Sequence, residues 1–301
     1  MGQDITTPRV LGKSHIEEWL DQSGGGWFTY DDIYRDLTVY DNTNKDTIRK
    51  TIRRMVDEGK LKQHPDIKRK FRLVKADSSI LNWQKADLQG FLNLRWPFEL
   101  EKLVKIFPGN VVVIGGTKDG GKTAFCLDFT VKNMREHDIV YFTSELGEEE
   151  LAERLGYYVE LDPEDWHFEA RALTGHPADC IQPDKINIID FLEISDSFFQ
   201  VAGIIREIYD RLTTGIAIIC IQKDANAKFA RGGAFSSEKA RLYVTLDAGN
   251  GGDKPDKMTI VVAKNRMNSQ VNPRGKVWTF KLVNGCRFVD AHEVIDPWPG
   301  D

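Results

Sequence analysis

The chain has 301 residues, 41% hydrophobic and 29% charged, which is the composition of an ordinary globular protein long enough for two domains or one large one. No apolar run reaches the length of a membrane span, and Met1-Gly2-Gln3-Asp4 lacks the basic-then-apolar pattern of a signal peptide, so a cytoplasmic protein with no membrane partner is expected. The net charge of −5 argues against nucleic acid, but its distribution does not: residues 1–75 carry 15 Lys and Arg against 12 Asp and Glu, which leaves −8 for the remainder. That asymmetry suggests a nucleic-acid-facing module joined to an acidic body. Cys126, Cys180, Cys220 and Cys286 are widely spaced and read as free thiols, and His167, His176 and Cys180 match no zinc spacing.

Ser14 and Glu17, three apart, form a capping box before a helix with apolar Ile16, Trp19 and Leu20, and Gly24-Gly25-Gly26 ends it. Trp27-Phe28-Thr29 reads as a short strand, and Thr29 caps a second helix with Asp31 and Asp32 in its first turn. A third helix over about 44–58 carries the stripe Ile48, Ile52, Met55 and Val56. A strand pair follows, 61–64 and 68–74, across Pro65-Asp66. Three helices and a basic hairpin predict a small winged helix-turn-helix domain over 1–75. Lys45, Arg49 and Arg53 stand at four-residue spacing on the third helix with Lys50 and Arg54 beside them, and Lys68, Arg69 and Lys70 lie on or beside the wing. These are the DNA-binding candidates; a solvated face or a protein-contact module is the alternative.

Residues 76–108 read as a linker in which Trp96–Leu103 forms a packing helix with Pro97 in its first turn. The apolar run Val111–Ile114 then leads into Gly116-Thr117-Lys118-Asp119-Gly120-Gly121-Lys122-Thr123, a full match to G-x-x-x-x-G-K-[ST], and a helix-compatible run follows. In that order of strand, loop and helix, glycine-rich backbone N–H groups and a helix N-terminus hold phosphate. Lys122 reaches the β- and γ-phosphates and the Thr123 hydroxyl ligates Mg²⁺, so ATP and Mg²⁺ are the expected cofactors.

Further strands are expected at 138–143, ending before Ser144-Glu145; at 185–190, with Asp190 at its end; and at 215–221, ending at Gln222. Leu242–Leu246 and Met258–Ala263 follow, the latter leading into Lys264-Asn265-Arg266, and a hairpin closes the body near 290 before a tail over 291–301. Residues 157–183 are acidic and irregular and yield no element. Alternating strands and helices predict an α/β domain over 109–290 with a mostly parallel sheet covered on both faces. The loop, Glu145, Asp190, Gln222 and Lys264–Arg266 are all expected at the C-terminal edge of that sheet.

Tyr141–Leu146 followed by Glu150–Leu155, Gln222 at a strand end and Lys264-Asn265-Arg266 resemble, in order and spacing over about 95–290, the DnaB-type helicases and, more widely, RecA-like hexameric ATPases including RepA-type helicases. The resemblance implies a RecA-like P-loop NTPase core in which Glu145 polarises the attacking water and Asp190 holds Mg²⁺ through water. It implies that Gln222 senses the γ-phosphate and that Lys264 and Arg266 reach a neighbouring subunit's ATP, Arg266 as an arginine finger. The implied assembly is a homo-oligomer, a hexameric ring or filament, and the implied partner single-stranded DNA. Lys228 and Arg231 fall where RecA-like proteins carry a nucleic-acid loop. A winged helix replaces the helical collar of DnaB-type helicases, and Asn187 interrupts the expected all-apolar strand.

Other readings of these residues stand beside the implied roles: Glu145 as a helix N-terminal acid with Glu193 as rival base, Asp190 as a solvated strand-end acid, Gln222 as a strand cap, Lys264 and Arg266 as a surface pair. For the whole chain the leading expectation is a helicase-like, DNA-dependent ATPase. The alternatives are a non-unwinding DNA-binding ATPase, such as a recombination mediator or a plasmid, phage or transposon replication factor, and an ATP-switched transcription regulator.

Overall fold

The computed structural model describes residues 13–22, 26–74, 81–192, 198–250 and 254–294. The chain divides into two compact units, 1–86 and 87–301.

In the first unit α1 (Lys13–Gln22), α2 (Tyr30–Asp36) and α3 (Asn42–Asp57) accompany a three-stranded antiparallel sheet of β1 (Phe28–Thr29), β2 (Leu61–Gln63) and β3 (Lys70–Leu73), in the order β1-β3-β2. Because α1 already includes Lys13, Ser14–Glu17 lies inside the helix and is not its cap. Thr29 caps α2 through a reciprocal pair of hydrogen bonds with Asp32, and Asp41 caps α3. The α3 stripe Ile48, Ile52 and Met55 is buried against Ile16, Leu20, Ile33 and Phe71. Each such side chain contributes roughly 1.5–3 kcal/mol of burial, and the opposite face of α3 is left to its cations.

The second unit is built on a nine-stranded sheet: β4 (Val111–Gly116), β5 (Ile139–Thr143), β6 (Glu169–Ala172), β7 (Ile186–Leu192), β8 (Ile216–Gln222), β9 (Ala240–Asp247), β10 (Asp256–Ala263), β11 (Val277–Val283) and β12 (Arg287–Val294). The order is β12-β11-β10-β9-β4-β8-β7-β5-β6. The pairs from β6 to β9 are parallel, and β10, β11 and β12 continue antiparallel. β4 is central and buried on both faces: Val112 and Ile114 enter one core with α4 (Lys122–Asn133), and Val111 and Val113 enter the other with α7 (Phe198–Arg211).

Three features differ from the expectation. The unplaced acidic stretch supplies the edge strand β6 and a short α6 (Pro177–Cys180). The segment Pro97–Lys102 is 3₁₀-like and kinked, with Phe98 at φ 58 and Glu99 at φ 54, rather than one packing helix. A left-handed phenylalanine is unfavourable, and the Phe98 ring is held there against Phe288 and Phe280 at 4.9 and 5.4 Å. Finally, Asn187 is fully buried in β7 and acts as a clamp. Its amide nitrogen donates to the carbonyls of Gln182, Lys185 and Ile216, and its oxygen accepts from the Gln182 N–H. Removing it strands several buried backbone groups, so Asn187→Ala is expected to cost about 2–4 kcal/mol in urea unfolding. A loss under about 1 kcal/mol would show that water replaces the clamp.

Candidate nucleotide site

The loop after β4 is fixed from both flanks. Lys223 N–H, just past β8, donates to Gly116 O at 2.8 Å; Thr117 N–H donates to Leu246 O at 3.0 Å; and Ala248 N–H donates to Thr117 Oγ1 at 2.9 Å. Two glycines are required by geometry. A Cβ on Gly120 would sit 2.8 Å from Leu246 O, and Gly121 holds φ +94. Gly121 is also the N-cap of α4 and supplies no side-chain cap, which leaves the first helical N–H groups available for an anion. The loop borders a cavity of about 230 Å³ lined by Lys118–Thr123, Glu145, Arg154, Gln222, Leu282 and Gly285.

Lys122 is 9% exposed. Its Nζ donates to Gly116 O at 3.4 Å, Thr117 O at 3.2 Å and Gln222 Oε1 at 3.1 Å, and among the described residues it makes no ion pair. A buried ammonium met only by neutral oxygens lacks a counter-charge, and such a group is costly unless the site is completed by an anion.

Asp190 is not a solvated strand-end acid. It is 3% exposed, lies two residues before the end of β7, and accepts a 2.6 Å hydrogen bond from Tyr141 on β5. Burial pushes its pKa up; hydrogen bonds from Tyr141 and Thr123 and the charges of Lys122 and Arg154 oppose that shift. Thr123 and Asp190 are thus in contact, a hydroxyl and a carboxylate beside the phosphate loop, which fits a Mg²⁺ site.

Glu145 is exposed on the cavity wall, before the Gly147 N-cap of α5 (Glu148–Gly156). The first-turn acids of that helix are Glu148, Glu149 and Glu150. Helix-dipole placement therefore explains those three better than it explains Glu145. Glu193 lies outside the described residues.

Gln222 ends β8 with its side chain on Lys122 and its carbonyl accepting from Arg231 N–H at 2.9 Å. The loop that follows folds onto its surroundings: Ala230 N–H donates to Tyr243, Arg231 lies 3.8 Å from Asp224, and Lys228 sits over Phe229. Lys223 is buried and pairs with Asp247 at the end of β9.

Lys264 and Arg266 are not on this edge. β10 runs antiparallel to β9, with Ala263 opposite Leu242, whereas Leu246 lies opposite Gly116. Five residues of strand, roughly 15–20 Å, separate them from the loop, so the expectation that all the site residues share the C-terminal edge is corrected. Lys264 donates to Glu238 O at 3.0 Å, and the exposed Arg266 is held by a backbone bridge to Val104.

The sequence reading missed two parts of the site. Arg154 of α5 lines the cavity and donates to Gly285 O at 3.1 Å, which ties it to the β11–β12 turn. That hairpin also brings Phe288 against Gly121 and Leu282 to the cavity wall. Arg154 stands in the stretch that carried the resemblance, but nothing in its spacing marks it. Beneath the loop, Cys126 and Cys220 lie with sulfurs 3.2 Å apart, both buried and free.

In the first unit, Arg49, Lys50, Arg53, Arg54, Lys68 and Arg69 are exposed, and Lys45 and Lys70 half-buried. Arg49, Lys50, Arg53 and Arg54 line one groove along α3, and Arg49, Lys68 and Arg69 line a second. No helix of the structure, among the described residues, is long and apolar enough to cross a membrane.

No known protein-family profile matches the chain, and no curated protein matches it. Solved structures do. The ATPase domain of a DnaB-type helicase superposes with a TM-score of 0.51 at 17% identity, over 67% of this chain and 93% of that one. A KaiC-like protein of the hyperthermophilic archaeon Pyrococcus horikoshii OT3 gives 0.48 at 16% identity, over 66% and 97%. The RadB recombinase gives 0.44 at 14% identity, over 60% and 91%. With the sheet order and the loop described above, the first of these likenesses establishes a RecA-like P-loop fold.

Proposed function

We propose that the protein is an ATP-hydrolysing, DNA-associated motor of RecA fold, working as a homo-oligomer in which one subunit completes its neighbour's site. The carrying observation is Lys122, buried, cationic and met only by neutral oxygens, at the mouth of a cavity that also gathers Thr123, Asp190, Glu145, Arg154 and Gln222. A nucleoside triphosphate supplies the missing negative charge. Thr123 and Asp190 would hold Mg²⁺, which when bound bridges phosphate oxygens and neutralises developing charge. Glu145 is the group placed to orient a water. Phosphate competes with Gln222 for the Lys122 ammonium. Freed from it, Gln222 carries the nucleotide's state to the loop it holds through Arg231, and Lys228 and Arg231 present that loop to single-stranded DNA.

Lys264 and Arg266 lie on the far edge, too distant to serve their own nucleotide. Exposed cations there suit a neighbour's phosphates, and this supports a ring or filament. The first unit is read as a winged helix that binds nucleic acid through α3 and its hairpin. The test is native mass with and without ATP and single-stranded DNA, run beside ATP turnover. The expected result is nucleotide-promoted assembly and turnover stimulated by single-stranded DNA. Turnover indifferent to DNA would defeat the motor reading. Stimulated turnover that never opens a forked duplex would favour a non-unwinding ATPase.

A further inference from the structure

The cations of the first unit are not one surface. Lys50, Arg53 and Arg54 run with Arg49 along the outer face of α3. Arg49 also joins Lys68 and Arg69 of the hairpin in a separate cleft of about 210 Å³, whose walls include Tyr30, Tyr34 and Asp31. Two observations set the cleft apart.

The first is the Tyr34 hydroxyl. Among the described residues it is the single buried side-chain polar atom with no hydrogen-bond partner of good geometry. Buried polar groups in folded proteins are almost always paired, so an orphan calls for an explanation. The ring itself is well held, stacked on Tyr30 at 6.2 Å with the Lys45 ammonium 5.5 Å from its centroid. The Arg49 guanidinium lies close enough to act on the hydroxyl, but it offers only N–H donors. The hydroxyl is a donor without an acceptor.

The second is convergence of charge. Burial raises the Tyr30 hydroxyl pKa, and the guanidiniums of Arg53, Arg69 and Arg49 all act on that hydroxyl in the opposite sense. Cations from the helix and from the hairpin thus reach one point. Arg49 gives one N–H to Asp46 at 2.9 Å and keeps the rest of its fork. Arg69 holds a left-handed backbone at φ 64, which few non-glycine residues adopt without a local reason. Guanidinium and ammonium groups accept nothing, so the cleft has an excess of donors. The complementary ligand is a small anion with several acceptor oxygens. Because Arg49 belongs to both grooves, the cleft opens onto a longer basic track than a single free anion requires.

We propose that this cleft seats one backbone phosphate of a nucleic-acid strand, with the Tyr34 hydroxyl and Arg49 as donors and Lys68 and Arg69 closing it from the hairpin. The proposal rests on the reading of the first unit as a nucleic-acid-binding module and gives it an anchor. A phosphate contact sets register and orientation without reading sequence. Asp31 on the cleft wall opposes the anion.

The test uses the full chain with a fluorescent mixed-sequence duplex and the matching single strand, titrated over a range of salt. Tyr34→Phe removes only the hydroxyl and is expected to weaken binding about five- to tenfold on every sequence, with an unchanged thermal midpoint. Arg49→Ala is expected to weaken it further and to lower the slope of log affinity against log salt by about one. Asp31→Asn is expected to tighten binding about threefold. If the unaltered protein binds neither probe, the reading of the unit fails. If it binds and Tyr34→Phe binds equally with the same slope, the unit stands and the cleft is not the phosphate seat. Inorganic phosphate at matched ionic strength separates the sources: weak binding displaced by the duplex supports the proposal, and tight binding that the duplex does not displace overturns it in favour of a free-anion site.

Discussion

Arg266→Ala is expected to slow ATP turnover by about 10³-fold or more, the range for a finger that stabilises transition-state charge from a neighbour, while ATP affinity changes far less. The reason is positional. Lys264 and Arg266 follow β10, which runs against β9, so they stand a strand's length from the loop of their own chain. A cation there contributes nothing to its own nucleotide, yet it is exposed and its backbone is fixed to Val104. The in-trans reading makes a sharper demand than loss of activity. Arg266→Ala subunits have a complete loop, Glu145 and Asp190 but no finger; Glu145→Gln subunits have the finger but a damaged site. Mixed, the two inactive proteins should recover turnover, because some interfaces then join an intact site to an intact finger. Native mass on each variant checks that assembly survives. Mixtures as inactive as their components, in assembled protein, would place Arg266 outside the chemistry.

Local chemistry was legible in the sequence and neighbourhood was not. Gly116–Thr123 could be read because strand, loop and helix are contiguous, and the α3 stripe because its period is local. The direction of β10 could not be read: a buried strand has the same pattern whether it runs parallel or antiparallel, and that one ambiguity misplaced Lys264 and Arg266. β6 escaped because Glu169-Ala170-Arg171-Ala172 is an edge strand with no large apolar residue, held by pairing to β5. The partner of Asp190 is a tyrosine 49 positions earlier, and the thiols of Cys126 and Cys220 meet across 94 residues. Asn187 looked like a flaw in a strand, and its purpose is visible only in the loop carbonyls that it satisfies. Arg154 enters the site because the β11–β12 turn folds back on the cavity, a tertiary event with no local signal.

Glu145→Gln is expected to lower turnover about 10³-fold, within the 10²–10⁴ supplied by a well-placed general base, while ATP binding persists or tightens. The substitution keeps the side chain's size and removes only its charge, so lost packing is a poor explanation of the effect. Glu145 stands on the wall of the cavity that holds Lys122 and Thr123, ahead of the α5 cap and outside that helix's first turn. An acid there serves neither helix nor core. Asp190 cannot take the same part: it is buried, receives the Tyr141 hydroxyl, and touches Thr123, which suits holding a cation's water shell better than activating a nucleophile. Two measurements separate the roles. Nucleotide affinity at high and low Mg²⁺ should change for Asp190→Asn and stay nearly constant for Glu145→Gln. Single-turnover hydrolysis should fail for Glu145→Gln even with ATP saturating. Equal losses in Glu193→Gln, with Glu145→Gln still active, would move the water-orienting role to Glu193 and leave Glu145 as a phosphate-side surface acid.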